Sequence, residues 1–266
     1  MRQYFSRQNK ALLTELVRTD FKLRYQGSVL GYAWSLLRPL LLFMILYVVF
    51  VKFLKIGANV PHYPIYLLIG IVIWNFFVEM TQQSLGSIVN RGDLIRKISI
   101  PRWIIVLTSS ISALINLLLN FVVVAVFMVI NHVDIHWPLL LVPLIIVEVY
   151  AFALGASLFL SAAFVKYRDT VYIWEVVLQA GFYMTPILYP LSSITNVPLV
   201  KLIMLNPMAQ AIQDIRYVAV TKDTQTVYRI FGGGYDKYIP FIIVITLLIG
   251  GLLYFKKESK YFAENI

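Results

Sequence analysis

Four basic residues at the start of the first long apolar stretch could bind an anionic lipid headgroup. Arg18, Lys22 and Arg24 precede this stretch, and Arg38 lies inside it. Guanidinium and ammonium groups bind phosphate through charge-assisted hydrogen bonds, and clusters of them beside a membrane attract anionic lipids. The four residues therefore predict an entrance for a lipid that carries phosphate. The alternative is a simple anchor that orients the chain at the membrane surface.

An amphipathic helix is predicted to carry the first three of these cations. Between residues 10 and 24 the apolar residues recur at helical spacing, and charged or polar residues cover the opposite face. The apolar positions are Leu12, Leu13, Leu16, Val17 and Phe21. Such a pattern is typical of a helix that lies in the cytoplasmic interface of a membrane. We therefore interpret residues 1–28 as a cytoplasmic and interfacial segment.

Acidic residues in or beside the apolar stretches are the next candidates for chemistry. Asp169 follows Arg168 and precedes Glu175, which predicts a charged network near the cytoplasmic end of one span. If an ATPase partner drives the chain, this network could transmit the motion of that partner. Glu79 and Glu148 lie within spans, where a carboxylate is costly and marks a function or a buried partner. We expect them to make interhelical hydrogen bonds. The spans contain no chain of acids and histidines, which argues against a proton-driven carrier.

Motifs for ATP hydrolysis and for other catalysis are missing from the sequence. There is no G-x-x-x-x-G-K-[ST] phosphate loop, no H-E-x-x-H and no G-x-S-x-G, and the chain has no cysteine. The glycine cluster at residues 232–234 is followed by Tyr235 rather than lysine. We therefore expect a chain that is not an enzyme and binds no cofactor or metal. If it transports against a gradient, ATP and Mg²⁺ must be bound by a separate ATPase.

Aromatic residues are further candidates for a binding surface or channel, because their rings can pack against the C–H faces of sugars. The alternative is the belt of Trp and Tyr that any multi-span protein places at the membrane interfaces. The candidates for the channel are Tyr25, Tyr32, Trp34, Tyr183 and Tyr189.

The composition predicts a membrane protein rather than a soluble enzyme. Hydrophobic residues make up 60% of the 266 and charged residues 14%, whereas soluble domains have about 45–50% and about 25%. A membrane helix needs about 20 mostly apolar residues. Six stretches qualify or come close, and they are Val29–Val51, Ile65–Gly86, Trp103–Ile130, Pro138–Val165, Thr170–Tyr189 and Ile239–Phe255. The predicted fold is all-α and polytopic, with six transmembrane helices.

A further apolar segment between the fifth and sixth spans is too polar to face lipid. Residues 199–220 are interrupted by Asn206, Gln213, Asp214 and Arg216. Irregular or polar backbone at membrane depth occurs where protein surrounds it. The segment therefore predicts a re-entrant helical pair among the other helices.

The distribution of positive charge predicts the orientation. Sixteen of the 23 Lys and Arg residues fall on one side if the N-terminus is cytoplasmic. The positive-inside rule therefore places both termini in the cytoplasm. The net charge of +10 is explained by these flanking residues and by contact with membrane lipids, so nucleic acid is not an expected partner.

The loop between the second and third spans is suited to receive a cytoplasmic partner. An apolar face and charges that favour the helix dipole predict a short helix there, which Pro101 ends. An exposed apolar helix can insert into a groove of another protein. The alternative is a basic loop that only sets the topology. The predicted docking helix comprises Asp93, Leu94, Ile95, Arg96, Lys97 and Ile98.

Several segments together resemble the permease subunits of ABC-2 type transporters. They are similar, in order, to the opening of the first span, the coupling helix, the turn before the fifth span, the end of that span and the re-entrant region. The segments are RYQGSVLGYAWSLLRP at residues 24–39, LIRKISIPR at 94–102, KYRD at 166–169, TPILYP at 185–190 and NP at 206–207. Arg38 is a departure, since relatives often have a neutral residue there, and its role in binding substrate phosphate or headgroups stays open.

The resemblance is closest to exporters of O-antigen, capsular polysaccharide and teichoic acid. It implies one ABC-2 type transmembrane domain over residues 1–266, with six spans in residues 29–255 and a cytoplasmic tail at 256–266. It implies a homodimer in the bacterial inner membrane, joined by two copies of an ABC nucleotide-binding subunit. Together they would move a polyisoprenoid-pyrophosphate-linked polysaccharide through a channel at the dimer axis.

Three other functions remain open from the sequence. Within the family, a teichoic acid exporter is the nearest alternative, and an exporter of small molecules or drugs is a more distant one. A secondary transporter or channel that works alone belongs to a different class. The apolar docking loop and the lack of a proton relay count against it.

Overall fold

The computed structural model describes residues 7–24, 26–57, 60–93, 101–134 and 136–262. Of Arg7, Gln8 and Arg24 it describes the backbone alone. The described ranges form α-helices, short 3-10 turns and a π-helical segment, without a β-strand among them. The helices are α1 (Arg7–Arg24), α2 (Trp34–Leu46), α3 (Tyr63–Ser87), α4 (Arg102–Ile130), α5 (Val142–Lys166), α6 (Thr170–Met184), α7 (Val197–Met204), α8 (Pro207–Ala219), α9 (Val227–Phe231) and α10 (Ile239–Glu258).

Five helical stretches of the described chain are long and apolar enough to cross a membrane. They include the turns that flank the helices, and they are Gly31–Phe53, Tyr63–Ser87, Arg102–Ile130, Trp137–Lys166 and Tyr235–Tyr261. The structure thereby confirms an all-helical membrane protein, and each of these stretches matches one of the predicted spans.

The predicted fifth span is shorter than expected. It was expected to extend to Tyr189, but α6 has 15 residues and ends at Met184, which is about 22 Å at 1.5 Å per residue. Thr185 has extended backbone angles, because the residue before a proline, here Pro186, avoids the helical region. The count of six spans therefore stays a prediction.

The helix α3 is the centre of the fold. Its apolar stretch is 78% buried, and it packs between α4 and α5. The first span packs only loosely against the other helices. Of the residues in the apolar part of Gly31–Phe53, only 6% are buried in the single chain. Pro39 lies inside α2, and this span ends in a π-helical segment, Tyr47–Phe53.

The helices α5 and α10 pack closely together, because glycines let their backbones approach. A Cβ atom at Gly155 would lie 2.7 Å from the Cα of Leu248, and one at Gly251 would fall on the carbonyl oxygen of Gly155. Small residues at such crossings are typical of membrane helices.

The N-terminal helix α1 packs against α4. Its predicted apolar residues are half-buried, while Arg18 and Lys22 are exposed. The carboxylate of Asp20 forms an ion pair with Arg91, which follows α3. This pair fixes the amphipathic helix next to the start of the predicted docking loop.

The segment after α6 forms two short helices, α7 and α8. Asn196 and Asn206 cap them, accepting hydrogen bonds from the backbone N–H groups of Leu199 and Met208. These helices occupy the region predicted as a re-entrant pair, and α8 contacts both α3 and α5. Their re-entrant placement in a membrane stays a prediction.

Arg216 on α8 joins this segment to the rest of the bundle. Its guanidinium donates hydrogen bonds to the carbonyl oxygens of Tyr66, Pro186 and Ile187, at 2.8, 2.5 and 2.9 Å. It also lies 3.6 Å from the centre of the Tyr66 ring. One side chain therefore connects α8, α3 and the turn after α6.

Candidate functional site

A cavity of about 580 Å³, with polar and apolar side chains in its lining, lies between α2, α3 and α4. Residues of α3 at helical spacing form one wall, α2 forms the second, and α4 contributes one residue. The cavity is lined by Trp34, Ser35, Arg38, Pro39, Leu42, Asn75, Val78, Glu79, Gln82, Gln83 and Asn116. Its volume falls within the range of about 300–1,000 Å³ that is usual for ligand pockets.

A hydrogen-bonded cluster holds the carboxylate of Glu79 in the cavity wall. Oε1 of Glu79 accepts from Nε2 of Gln83 at 2.8 Å and from Nδ2 of Asn116 at 2.5 Å. The second bond joins α3 to α4, as predicted for an acid within a span. The cluster fixes the positions of three polar side chains that would be costly in hydrocarbon.

Asn116 keeps one group without a partner. Its side chain is 3% exposed, and its Oδ1 atom is buried and accepts no hydrogen bond within the described part of the chain. The amide nitrogen faces the Glu79 carboxylate, because only Nδ2 can donate a hydrogen bond to it. An unsatisfied acceptor of this kind is uncommon in native proteins.

Other cavity side chains have hydrogen-bonding groups available to a ligand. Arg38, Asn75 and Gln82 make no side-chain hydrogen bond to the residues that the structure describes. Arg38 and Glu79 carry opposite charges, and the remaining polar groups are amides and one hydroxyl. This arrangement can bind a polar ligand without a net charge, and it has no nucleophile paired with a base.

The structure places the predicted entrance residues in two locations. Arg18 and Lys22 are exposed on α1, whereas Arg38 lines the cavity. The Phe21 and Tyr32 rings, 6.2 Å apart, join α1 to the turn before α2. The side chain of Arg24 lies outside the described residues. The entrance assignment stays a prediction.

The predicted channel aromatics fall into two groups. Tyr32 and Trp34 are exposed at the start of the first span, and Trp34 lines the cavity. Tyr183 is exposed near the end of α6, and the Tyr189 hydroxyl donates to its carbonyl oxygen at 3.2 Å. Tyr25 lies outside the described residues. The channel role stays a prediction for all five.

The residues of the predicted cytoplasmic charged network are not paired with one another in the described chain. Arg168 lies over the Phe164 ring, 5.2 Å from its centre, and Asp169 and Glu175 are exposed. The network stays a prediction.

The predicted docking helix is mostly outside the described residues. Asp93 is helical and exposed, and the others (Leu94, Ile95, Arg96, Lys97 and Ile98) lie in the part of the loop that is not described. The docking role therefore stays a prediction.

Sequence reasoning missed most of the cavity. Asn75, Gln82, Gln83 and Asn116 were not among the candidates, although Trp34, Arg38 and Glu79 were. The signal was present in the spacing of Asn75, Glu79 and Gln82, which places three polar residues on one side of an otherwise apolar helix. What the spacing could not show is that α2 and α4 enclose that side.

The membrane-length apolar helices of the described chain identify a membrane protein with several candidate spans. The chain belongs to the ABC-2 type transporter family, whose pattern matches residues 11–220. It is therefore a permease subunit of the ABC-2 type, which confirms the resemblance seen in the sequence.

Named relatives match almost the whole chain. An O-antigen export system permease protein RfbA from Myxococcus xanthus is 27% identical over 263 residues, covering 97% of this chain and 96% of the relative. A protein of the same name from Klebsiella pneumoniae is 29% identical over 259 residues, covering 95% and 94%. The similarity therefore extends from the amphipathic helix to the last span.

Proposed function

We propose that this permease exports an O-antigen-like polysaccharide, linked to polyisoprenoid pyrophosphate, across the bacterial inner membrane. The observation that carries the proposal is the match over 94–97% of both chains to permeases named for O-antigen export. A cavity that several polar side chains line, inside a helix bundle, supports the same conclusion because a glycan is polar and needs hydrogen-bonding groups along its path.

A separate ATPase supplies the energy in this proposal. The sequence has no phosphate loop, so two copies of an ABC nucleotide-binding subunit bind ATP and Mg²⁺ on the cytoplasmic side. They contact the loop that begins at Asp93. The ion pair between Asp20 and Arg91 supports this role, since it would transmit movement of the loop to the amphipathic helix α1.

The lipid pyrophosphate enters beside α1. Arg18, Lys22 and Arg24 attract its phosphates to the cytoplasmic surface. Arg38 lies beyond them, on the wall of the cavity. The cations thus form a path from the headgroup region towards the interior.

A second copy of the chain completes the channel. In the single chain, apolar residues of α2 and α6 such as Met44, Ile45, Ile173 and Val176 are exposed. Contact between two copies along these helices would bury part of that surface and enclose a channel at the dimer axis. Both termini then face the cytoplasm, in agreement with the distribution of positive charge.

Depletion of the permease in its own cells tests the proposal. We expect the surface polysaccharide to disappear and a lipid-linked glycan to accumulate on the cytoplasmic side. Wild-type protein restores export, and Ile98→Asp, which places a charge on the apolar docking face, does not. Unchanged surface polysaccharide after depletion would refute the proposal.

A further inference from the structure

We infer that a second cavity, between α5, α8, α9 and the start of α10, is a binding site for amphiphilic amines. Such a ligand has an apolar body and one protonated amino group. The site goes beyond the proposed function, because its ligand is not the transported polymer and binding can be measured without transport. All residues that line it fall within 136–262, a range that the structure describes without a gap.

The second cavity has a largely apolar wall and a volume of about 750 Å³, within the range of about 300–1,000 Å³ that is usual for ligand pockets. Residues of α5 at helical spacing form one side, and α8 and α10 contribute Val218 and Phe241. Leu144 and Val147 of α5 are 67% and 63% exposed in the single chain. The cavity therefore opens towards the hydrocarbon of the membrane, from which an apolar ligand can enter.

Two acidic side chains, Glu148 of α5 and Asp214 of α8, interrupt this apolar wall. Arg229 is the one basic residue among the described residues that line the cavity, so the lining has one more acid than base. Neither acid forms an ion pair with a residue that the structure describes. Carboxylates at membrane depth are costly without a partner. The lining therefore favours a cationic ligand over an anionic one.

Hydrogen bonds within the protein satisfy the two acids only in part. Oε1 of Glu148 is enclosed by protein and accepts no hydrogen bond from the described residues. Oδ2 of Asp214 accepts one, from Nε2 of Gln210 at 2.6 Å. Because Oε1 is enclosed, a ligand meets Glu148 at the part of its side chain that lines the cavity. An ammonium group in the cavity is attracted to both carboxylates, and its N–H groups can donate to them.

The order of charges along the cavity distinguishes a simple amine from a phospholipid. Arg229 is exposed, and its guanidinium lies 5.1 Å from the centre of the Tyr217 ring. Asp214 lies three residues before Tyr217 in α8, about 4.5 Å further from the exposed end of that helix, so the acids lie deeper than the base. In a phospholipid the phosphate lies between the acyl chains and the ammonium. Chains in the cavity would therefore bring phosphate to the acids and the ammonium to Arg229, and both contacts are repulsive.

Photoaffinity labelling of the purified transporter complex tests the site. The probe is dodecylamine with a diazirine group on its chain, and dodecanoic acid with the same diazirine is the matched anionic probe. We expect the amine to label peptides that contain residues 141–151, and an excess of unmodified dodecylamine to suppress this labelling. The acid should label these peptides at least about fivefold less. Equal labelling by the two probes, or labelling that the excess does not reduce, would overturn the inference.

Two competitors test which parts of the ligand the site requires. Free ethanolamine has the ammonium without an apolar body, and phosphatidylethanolamine has both together with a phosphate. We expect neither to compete at the concentration at which dodecylamine does. Competition by ethanolamine would show that the apolar wall is not used, and competition by phosphatidylethanolamine would show a phospholipid site. Either result would contradict the assignment.

Matched neutral substitutions test the two acids. Glu148→Gln and Asp214→Asn each remove one negative charge from the lining, whereas Asp236→Asn removes one from an exposed residue outside it. We expect the affinity for dodecylamine to fall roughly fivefold or more in the first two variants, equivalent to about 1 kcal/mol. For Asp236→Asn the change should stay within about twofold. Equal effects of Asp214→Asn and Asp236→Asn would refute the role of the acids in the cavity.

A cavity-filling substitution covers the case in which the acids are needed for folding. Ala151→Phe adds a large side chain to the lining without changing its charge. We expect it to remove the labelling that dodecylamine suppresses, at a normal yield of the complex, and unchanged labelling would overturn the site. The comparison of the two probes uses the wild-type protein, so it does not depend on the folding of any variant.

Discussion

At the scale of single residues, Arg216 shows how this chain accommodates a charge in its interior. Its side chain is 0% exposed, and carbonyl oxygens and an aromatic ring surround the guanidinium in place of a carboxylate. The planar fork of arginine matches three separate acceptors, which a lysine ammonium cannot do from the same position. The residue therefore determines how α8 docks on α3.

Replacing Arg216 with lysine should destabilise the permease even though the charge is retained. At least one carbonyl oxygen would lose its donor and the stacking on Tyr66 would be lost, at a cost of about 2 kcal/mol or more. The measurement is thermal unfolding of the purified protein in detergent. Arg229→Lys, at an exposed residue, is the control. An unchanged unfolding temperature for Arg216→Lys would contradict the role of Arg216 in joining α8 to α3.

The ion pair between Asp20 and Arg91 should couple α1 to the docking loop. Reversing one partner, in Asp20→Arg or in Arg91→Asp, removes an attraction of about 1 kcal/mol and introduces repulsion. We expect ATP hydrolysis by the purified transporter complex to fall in each single variant and to recover in the double exchange. No recovery in the double exchange would show that the two residues act separately.

Reversing the charge of the exposed cations of α1 should slow entry of the lipid. Each cation near an anionic surface contributes about 1 kcal/mol, so Arg18→Glu and Lys22→Glu should each lower export roughly fivefold or more. Export is measured as surface polysaccharide after a pulse of synthesis. Lys222→Glu, on the predicted outer side, is the control. Equal effects at positions 22 and 222 would contradict a cytoplasmic entrance.

At the scale of elements, the bounds of the spans were predicted best where the apolar run and the helix end at nearly the same residue. The first span was predicted at Val29–Val51 and is observed at Gly31–Phe53, and the third was predicted at Trp103–Ile130 and is observed at Arg102–Ile130. The end of α6 was predicted less well. The apolar run continues past Met184, but the residue before Pro186 avoids helical backbone angles and the helix therefore ends.

The crossing of α5 and α10 depends on one glycine of an adjacent pair. Gly251→Ala places a methyl group on the Gly155 carbonyl, whereas the Cβ of Gly250→Ala meets nothing within 4 Å. We expect Gly251→Ala to lower stability by about 1–3 kcal/mol and Gly250→Ala to leave it unchanged or slightly improved. Thermal unfolding of both variants checks this, and equal effects would refute the close crossing.

The cavity could be predicted only in part for a physical reason. The polar residues of α3 recur at helical spacing and therefore share one side of the helix, and this pattern can be seen in the sequence. Their neighbours, Arg38 on α2 and Asn116 on α4, are brought to them by packing between helices that are far apart in the chain. The Nδ2 bond from Asn116 to Glu79 is a tertiary contact, and no local pattern encodes it.

At the scale of the whole molecule, the chain is an ABC-2 type permease, and in our proposal other chains supply its energy and complete its channel. Its composition predicted the membrane bundle, and the family match over residues 11–220 confirms the transporter class. The sidedness of its basic residues, the exposed apolar helices and the cavity with its polar side chains together support the proposed function of an ATP-driven glycan exporter.

The most direct test measures export by the assembled transporter in inside-out membrane vesicles. Vesicles that contain the permease, its ATPase and a radiolabelled lipid-linked glycan are supplied with ATP, and protection of the glycan from added glycosidase is followed. We predict protection that requires ATP and both chains and that Ile98→Asp abolishes. Protection without ATP, or without the ATPase, would contradict the account.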